Sequence, residues 1–416
     1  MKLIKWILLS FLLVGCGDDY YTRITNSPPP PKKPHPEHPR HTPKQIDNYI
    51  VVLKHGSASA FGIVPKHEYK NVFSGFSAEC DKDTYEMLVD HPSVLVITPD
   101  VEMFTCEQAI PTGVDIIEAD QNPISKIDGV DERVDIDIAI FDTGIDRHPD
   151  LNVYRRFDFS GEGIYDRNRH GTHVAGTIGA LDNDKGVVGV APGARLWSFK
   201  VFNKGGSGYI STIVTALDYS MRFTDEIDVI SMSLGGFGYN EPLHLAIQAV
   251  VDKGVVVCVA AGNNGMDIYG PDGIPLTWDD FTPANFPEVI TVSAMFDTDG
   301  KMGGLDSTIL TNSGDDFLAT FSNYGEAVDV AMPGVFILST VLHRKYGELS
   351  GTSMATPHAA GLAGLLIAKY GKPVDASGVA HIKQLMQDNA VAQSAWRLDG
   401  FMNDFDIYHE GLGQCN

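Results

Sequence analysis

Residues 138–146 read IAIFDTGID, and this stretch decides the fold. Its apolar run is typical of a strand buried on both faces of a parallel sheet. Four further runs of this kind follow, at residues 196–201, 229–233, 255–260 and 289–293. Helices are predicted around or between them, at residues 170–181, 210–223, 243–253 and 353–370. The alternation predicts an α/β fold of three layers, with a mostly parallel central sheet between helices.

Three short segments carry groups suited to peptide hydrolysis. Asp142 closes the first strand, His170 opens HGTHVAGT, and Ser353 lies within GTSMATPH. A serine hydroxyl is a weak nucleophile unless a histidine takes its proton, and a buried aspartate holds that histidine in the right tautomer. Asn263 follows another buried strand in a glycine turn, where its amide and the Ser353 N–H would both donate to an oxyanion.

DTGID, HGTHVAGT, AAGNNG and GTSMATPHAAG, in this order, resemble the subtilisin family, including its proteinase K-like branch. The match covers most of residues 107–370, and the order Asp, His, Ser is that of the family. The resemblance implies a serine endopeptidase that acts through an acyl-enzyme, with Asp142, His170 and Ser353 as its triad and Asn263 as oxyanion donor. The second histidine of HGTH, His173, is expected to be structural.

The same resemblance implies where a protein or peptide substrate binds. Ser233, Leu234 and Gly235 would pair with the substrate as an added strand and form one wall of the primary pocket. The opposite wall and the upstream edge of the cleft are assigned to four small residues, Ala260, Gly262, Gly206 and Gly208. Small residues on both walls leave room for a large side chain, so we expect broad specificity with an apolar preference at P1.

Residues 181–187, LDNDKGV, resemble the family's calcium loop. The resemblance implies six calcium ligands. They are Gln108, Asp150, the side chain of Asn183, and the backbone carbonyls of Leu181, Lys185 and Val187. All offer oxygen atoms, which calcium prefers. The alternative is a loop that Asn183 closes without a metal.

Residues 48–106 form a small α+β pattern before the peptidase domain at 107–416. Strands are predicted at 49–54, 72–78 and 94–97, with a helix at 83–90. YIVVLK, FSGFSAEC and HPSVLVITPD resemble the subtilisin pro-domain, a short sheet with two helices. That resemblance implies a zymogen that cuts itself near residues 105–107 and is inhibited by its own pro-domain.

The first 47 residues are predicted to lie outside the folded domains. Residues 1–15 have the layout of an export signal, and Cys16 follows as in a bacterial lipoprotein signal; a plain signal peptide with an incidental cysteine is the alternative. Residues 16–47 include the proline-rich segment 27–43, interpreted as a spacer rather than a ligand for a partner. We therefore expect an exported envelope lipoprotein whose maturation releases the catalytic domain.

Charge and cysteine content restrict the partners. The chain has 54 acidic and 31 basic residues, a formal charge of −23, which argues against nucleic-acid binding. A monomer is expected.

Among the cysteines after Cys16, Cys258 is predicted to be a core residue, and two disulfide pairings remain open, Cys80–Cys106 and Cys106–Cys415.

Two rival functions remain at this point. An acid-acting sedolisin shares the predicted fold but would use Glu and Asp where this chain has His170. An inactive relative could serve as a surface binding module, although all four catalytic positions are filled.

Overall fold

The structure is a computed structural model that describes residues 46–100, 108–302, 316–393, 408 and 410–415. The described residues fall into two compact units, one before and one after the gap at 101–107. Among them, no helix combines the length and apolar character needed to span a bilayer. The predicted leader, Cys16, the proline-rich spacer and the processing site lie outside the described residues.

The first unit is a four-stranded antiparallel sheet with one α-helix. Its strands are β1 (Ile46–Leu53), β2 (His67–Tyr69), β3 (Gly75–Asp81) and β4 (Val94–Pro99), and its helix is α1 (Lys82–Val89). The sheet order is β2-β3-β1-β4. Alternate residues of β1, Tyr49, Val51 and Leu53, are buried, as expected for a strand with one core face. Asp81 caps α1 by accepting a hydrogen bond from the Thr84 N–H at 2.8 Å.

Two sequence expectations for this unit were wrong in detail. The second strand was placed at 72–78 but runs from Gly75 to Asp81, because pairing with β1 begins at Val52 and Gly75 and leaves Val72 81% exposed. The resemblance implied two helices, whereas the described part has one α-helix and a 3-10 turn at Ala58–Phe61. The short strand β2 was not predicted.

The second unit contains the remaining elements. Its strands are β5 (Asp137–Asp142), β6 (Val153–Asp158), β7 (Arg195–Lys200), β8 (Val229–Met232), β9 (Gly236–Phe237), β10 (Val256–Ala260), β11 (Phe281–Thr282), β12 (Ile290–Phe296), β13 (Phe317–Leu318), β14 (Val330–Pro333), β15 (Ile337–Val341) and β16 (Lys345–Leu349). Its helices are α2 (Thr112–Ile116), α3 (His170–Gly179), α4 (Ile210–Ser220), α5 (Glu241–Val251), α6 (Thr352–Tyr370) and α7 (Ala376–Asp388).

An eight-stranded sheet forms the middle layer of this unit. Seven strands follow the order β13-β12-β10-β8-β5-β7-β6, and β14 also pairs with β12. Only β12 and β13 are antiparallel neighbours among these described strands. Every residue of β5, β8, β10 and β14 is buried, which requires cover on both faces. The expected α/β class with a mostly parallel sheet is confirmed.

The helices that open with the candidate catalytic groups pack together. Helix α3 contacts α6 and β5, while α6 contacts β8, β10 and β12. The candidate catalytic side chains therefore lie where β5, β8 and β10 end, as expected for the active site of a parallel α/β sheet.

Three described cysteines are buried free thiols. Cys80, Cys258 and Cys415 carry no disulfide, so neither pairing suggested by the sequence is formed in this structure. Cys106, the cysteine shared by both pairings, lies outside the described residues. Cys258 is fully buried in β10, and burial raises the pKa of its thiol, which confirms its prediction as a core residue.

Candidate active site

A hydrogen bond between two buried side chains joins Asp142 to His170 at the sheet edge. Both carboxylate oxygens of Asp142 lie 2.9 Å from Nδ1 of His170, and the two residues are 0% and 8% exposed. An ionised carboxylate only accepts hydrogen bonds, so Nδ1 carries the proton and Nε2 is the ring nitrogen with the lone pair. This is the tautomer that a general base for a hydroxyl requires.

A buried carboxylate that sequence reasoning missed orients the start of α3. Asp166 is 4% exposed, and its two oxygens accept five hydrogen bonds of 2.7–3.1 Å, from Thr143 Oγ1, Asn168 N, Arg169 N, Thr172 N and Thr172 Oγ1. Negative charge at a helix N-terminus is stabilising. The only sequence signal for this role is an acid a few residues ahead of HGTH.

The turn after Asp142 is fixed from the other side by Lys200. Lys200 pairs in register with Asp142 across β5 and β7, is fully buried, and donates from Nζ to the Thr143 carbonyl at 2.6 Å. Burial lowers the pKa of Lys200, while nearby carboxylates, Asp166 first, act in the opposite direction. A side chain at Gly171 would meet the Gly144 carbonyl at 2.2 Å, so the approach of α3 to this turn requires glycine.

Ser353 lies in the first turn of α6 and is 4% exposed. Two hydrogen bonds connect it to the end of β8: its hydroxyl donates to the Ser233 carbonyl at 3.4 Å, and the Ser233 hydroxyl donates to the Ser353 carbonyl at 2.8 Å. Gly351 precedes the helix at φ 152°, ψ 163°, a conformation almost restricted to glycine. The chain thus turns sharply before the serine.

Asn263 follows β10 and is oriented by the same helix start. Its Oδ1 accepts hydrogen bonds from Thr352 N at 2.8 Å and from Thr352 Oγ1 at 3.0 Å. Because a backbone N–H can only donate, these contacts identify Oδ1 and leave the Nδ2 amide as a donor beside Gly351. Within the described ranges, neither Nδ2 nor the Ser353 N–H has a protein acceptor, so both are available to an anion.

The two predicted pocket walls meet at one aromatic ring. A Cβ on Gly235 would lie 2.3 Å from the Phe281 ring, and a Cβ on Gly262, at φ 104°, would lie 2.6 Å from it. Phe281 was not predicted because its role depends on a contact between distant segments. The neighbouring wall residues Ser233, Leu234 and Ala260 are buried.

The upstream edge is a separate loop after β7. A Cβ on Gly206, at φ 77°, would lie 3.3 Å from Asn168 Nδ2, and the same amide donates to the Lys204 carbonyl at 3.1 Å. A Cβ on Gly208 would lie 2.6 Å from the Val201 carbonyl. The structure therefore brings this loop against the segment that precedes His170.

Five of the six predicted calcium ligands converge through direct contacts. Gln108 Nε2 lies 2.6 Å from the Leu181 carbonyl and 3.1 Å from the Val187 carbonyl. Asp150 Oδ1 accepts from Asn183 Nδ2 at 3.0 Å, and its Oδ2 accepts from Val187 N at 3.3 Å. No contact places the Lys185 carbonyl, but the Lys185 N–H donates to Asn183 Oδ1 at 3.1 Å.

The chemistry of this donor set fits a divalent cation. Asp150 is 2% exposed, has no basic partner within 4.0 Å in the described part of the chain, and burial raises the pKa of its carboxyl group. Rotating the Gln108 amide by 180° would direct its oxygen to the space between two carbonyls that its NH₂ group now contacts. The nearby Tyr346 hydroxyl donates to Asp150 at 3.2 Å, and burial, followed by the Asp150 charge, raises the pKa of Tyr346 to about 12.

Comparison with known proteins places this geometry in a family. Residues 134–404 match the model of the Subtilase family, and residues 62–105 match that of Peptidase inhibitor I9. Subtilisin NAT of Bacillus subtilis subsp. natto is 37% identical over 298 residues, which cover 71% of this chain and 70% of the relative. A thermostable alkaline protease of Halalkalibacterium halodurans is 33% identical over 330 residues, 77% and 81% of the two chains. A subtilisin-like serine protease, AsES, of Sarocladium strictum is 34% identical over 361 residues, 80% and 84%.

Proposed function

The chain belongs to the subtilase family and is a serine endopeptidase, and we propose that Asp142, His170 and Ser353 form its catalytic triad. The observation that carries the assignment is the pair of 2.9 Å distances between the Asp142 oxygens and Nδ1 of a buried His170. The contacts of Ser353 with the end of β8 and the packing of α3 on α6 support its inclusion.

In the proposed reaction, His170 Nε2 takes the Ser353 hydroxyl proton as Oγ attacks the carbonyl carbon of the scissile bond. The carbonyl oxygen becomes an oxyanion that accepts hydrogen bonds from Ser353 N and Asn263 Nδ2. The imidazolium then protonates the leaving amine as the C–N bond breaks, which leaves an acyl ester on Oγ. Water, deprotonated by the same imidazole, cleaves this ester and restores the Ser353 hydroxyl.

A covalent probe and a matched serine control test the triad. Wild type should be processed, be labelled by a fluorophosphonate and cleave an internally quenched peptide. Ser353→Ala should remain at precursor mass, stay unlabelled and lose about 10⁶-fold in kcat. Ser350→Ala, an exposed serine in the same segment, should behave as wild type. An unlabelled mature wild type would favour a binding module, and a processed, active Ser353→Ala would overturn the triad.

We propose the domain limits 1–15 for the signal, 16–47 for the spacer, 48–106 for the inhibitory pro-domain and 107–416 for the peptidase. The match of residues 62–105 to the inhibitor model supports a zymogen that is processed near residues 105–107. N-terminal sequencing of the mature enzyme tests the limit. A first residue far downstream of 107 would refute it.

Calcium is proposed as a structural ion held by Gln108, Asp150, Asn183 and the carbonyls of Leu181, Lys185 and Val187. The family is generally calcium-binding, and the oxygen-rich contacts around Asp150 support the assignment. When bound, the ion would neutralise Asp150 and cross-link the N-terminal segment to the 181–187 loop. No step of peptide hydrolysis requires it.

The proposed specificity is broad, with an apolar side chain at P1. The glycines at 235 and 262, backed by the Phe281 ring, support a pocket with small walls and an apolar interior. A digest of a mixed peptide library, read by mass spectrometry, tests this. A strict requirement for a charged P1 residue would contradict it.

We further propose that the precursor is exported and carries lipid on Cys16, that maturation releases the catalytic domain, and that the mature enzyme is a monomer. The cysteine after a short apolar run supports the lipid. Labelled palmitate should enter the wild-type precursor and not Cys16→Ala, and the mature enzyme should elute as a monomer in gel filtration. Label in Cys16→Ala, or none in wild type, would refute lipidation at this residue.

A further inference from the structure

A cationic depression, largely open to solvent, lies outside the proposed catalytic site and the 181–187 loop. Its volume is about 380 Å³, and its lining combines the arginines Arg147, Arg156 and Arg344 with His148 and the apolar Leu151 and Val153. We call it the arginine pocket. It lies between the segment that follows β5 and the turn of the β15–β16 hairpin, the hairpin that leads into Ser353. It is much larger than one water molecule, whose share of liquid volume is about 30 Å³.

Two of its arginines are held close together by one ring. The guanidinium carbon of Arg147 lies 4.8 Å from the centroid of the Tyr165 ring, and that of Arg156 lies 5.4 Å from it. Arg156 also donates to the Ile145 carbonyl at 3.2 Å and the Asp146 carbonyl at 3.3 Å. Burial, and to a smaller extent the Arg147 charge, lower the pKa of Arg156, so the folded chain brings two like charges together at a cost.

Arg344 adds a third charge from the hairpin turn. His343 and Arg344 have φ values of 64° and 61°, in the left-handed region that an arginine seldom adopts. Such strain persists where the surrounding structure enforces it, and it is concentrated at functional sites.

In the part of the chain that the structure describes, these three charges have no acidic partner at ion-pair distance. None of the three arginines forms an ion pair with a carboxylate within 4.0 Å among the described residues, although the chain has 54 acids. The acid next to Arg147 in the sequence is Asp146, and its Oδ2 accepts a hydrogen bond from the His343 N–H at 3.2 Å. The guanidinium groups of Arg147 and Arg156 already have uncharged partners that orient them, the Tyr165 hydroxyl and two backbone carbonyls.

We propose that the arginine pocket binds a small tetrahedral oxyanion, sulfate or phosphate, either free or as a phosphomonoester. Guanidinium groups present paired N–H donors that match the oxygens of such anions, and several converging arginines select them over a single carboxylate. A bound anion would connect the segment after Asp142 to the hairpin before Ser353. Its expected effect is therefore on the stability of the mature enzyme, beyond the proposed catalytic function.

Thermal unfolding of the mature enzyme, blocked beforehand with phenylmethylsulfonyl fluoride, tests the proposal. The probes are sodium sulfate and phosphoserine, each at constant ionic strength set with chloride. Tm should rise by a few degrees and saturate with sulfate concentration in wild type. A comparable rise with phosphoserine at similar concentration would extend the site to phosphomonoesters, and its absence would restrict the site to free anions.

Variants distinguish the pocket from a general salt effect. Arg344→Gln changes an exposed residue without a hydrogen-bond partner in the described chain, so it should fold, and it should raise the Kd for sulfate at least tenfold. Arg344→Lys should retain part of the affinity. Arg222→Gln, an exposed arginine on the 3-10 turn after α4, should bind as wild type. A wild type with no saturable response, or an Arg344→Gln protein that binds as tightly as wild type, would overturn the proposal.

Discussion

Two regions that follow the same strand solve the problem of a buried carboxylate in different ways. At the proposed catalytic edge, Asp142 accepts hydrogen bonds from the Thr143 N–H at 2.6 Å and from His170 at 2.9 Å, so its charge has protein donors. In the proposed calcium loop, Asp150 accepts hydrogen bonds of 3.0–3.3 Å from amide and hydroxyl donors, while the Gln108 amide contacts two nearby carbonyls. The first region is organised by the chain itself, and the second has the composition of a site completed by a cation. Catalysis and stability should therefore respond separately to changes in the two regions.

The largest difference between the effect on activity and the effect on stability is expected from Asp142→Asn. An asparagine can donate where the carboxylate accepts, so His170 would adopt the wrong tautomer and kcat should fall by about 10⁴-fold. Because the shape is retained, Tm should change little. Steady-state kinetics and calorimetry on mature protein measure both, and Asp218→Asn, an exposed acid on α4, is the control. If Asp142→Asn lowered Tm as much as calcium removal does, catalysis and stability would not respond separately to changes in the two regions.

Calcium removal should produce the opposite pattern. At free calcium about 1,000 times Kd, the ion would contribute about 4 kcal/mol to the free energy of unfolding, so chelation should lower Tm and accelerate autolysis while initial rates stay near normal. Asp150→Asn should abolish the dependence of Tm on calcium.

An acidic cluster elsewhere in the described residues provides a matched control for that experiment. One carboxylate oxygen from each of Asp272, Asp279 and Asp280 lies within 4.8 Å of the others in the 266–283 loop. Asp272→Asn should leave the calcium dependence of Tm intact. If Asp272→Asn removed the dependence and Asp150→Asn did not, the ion would bind the cluster in the 266–283 loop and Asp150 would not be a calcium ligand.

The sequence was sufficient to place Asp142 and Asn263 near each other, because both come where a buried strand ends and the strand ends of a parallel sheet meet. The 181–187 loop follows helix α3 instead, and only its resemblance to the family's loop pointed to it. The sequence was not sufficient for the residues that support these sites. Asp166 is one acid among many until the fold brings Thr143 and α3 together, and Phe281 gains its role only when residues 235 and 262 approach it. The error in β3 has the same origin, because the register with β1 outweighs the local apolar pattern at Val72.

A smaller catalytic effect is expected from Asn263→Ala. The variant removes one of two oxyanion donors and should lower kcat about 10²–10³-fold, the loss that removal of such a donor causes in related enzymes, with KM little changed. Asn264→Ala, an exposed neighbour, is the control. Asn263 also accepts a hydrogen bond from the Thr352 N–H, and Asn263→Asp keeps this acceptor while it removes the amide donor. The kcat of Asn263→Asp should therefore fall as much as that of Asn263→Ala. An Asn263→Asp enzyme with normal kcat would exclude the amide as a donor.

The smallest effect concerns two buried histidines behind the catalytic edge. Burial lowers the pKa of His173 to about 3 and that of His358 to about 4, from ordinary values near 6.5. Below pH 6.5 the unfolded chain binds protons that the folded chain does not, so stability is complete above this pH and is lost as the pH falls toward 4, by about 1.4 kcal/mol per pH unit for each histidine. His173 Nε2 lies 2.8 Å from the Ile337 carbonyl, so His173→Gln can keep a donor there. In inhibitor-blocked mature enzyme, this variant should lower the slope of Tm against pH between 6.5 and 4 without altering the calcium dependence. An unchanged slope would mean that protonation of the buried His173 ring does not contribute to the loss of stability in acid.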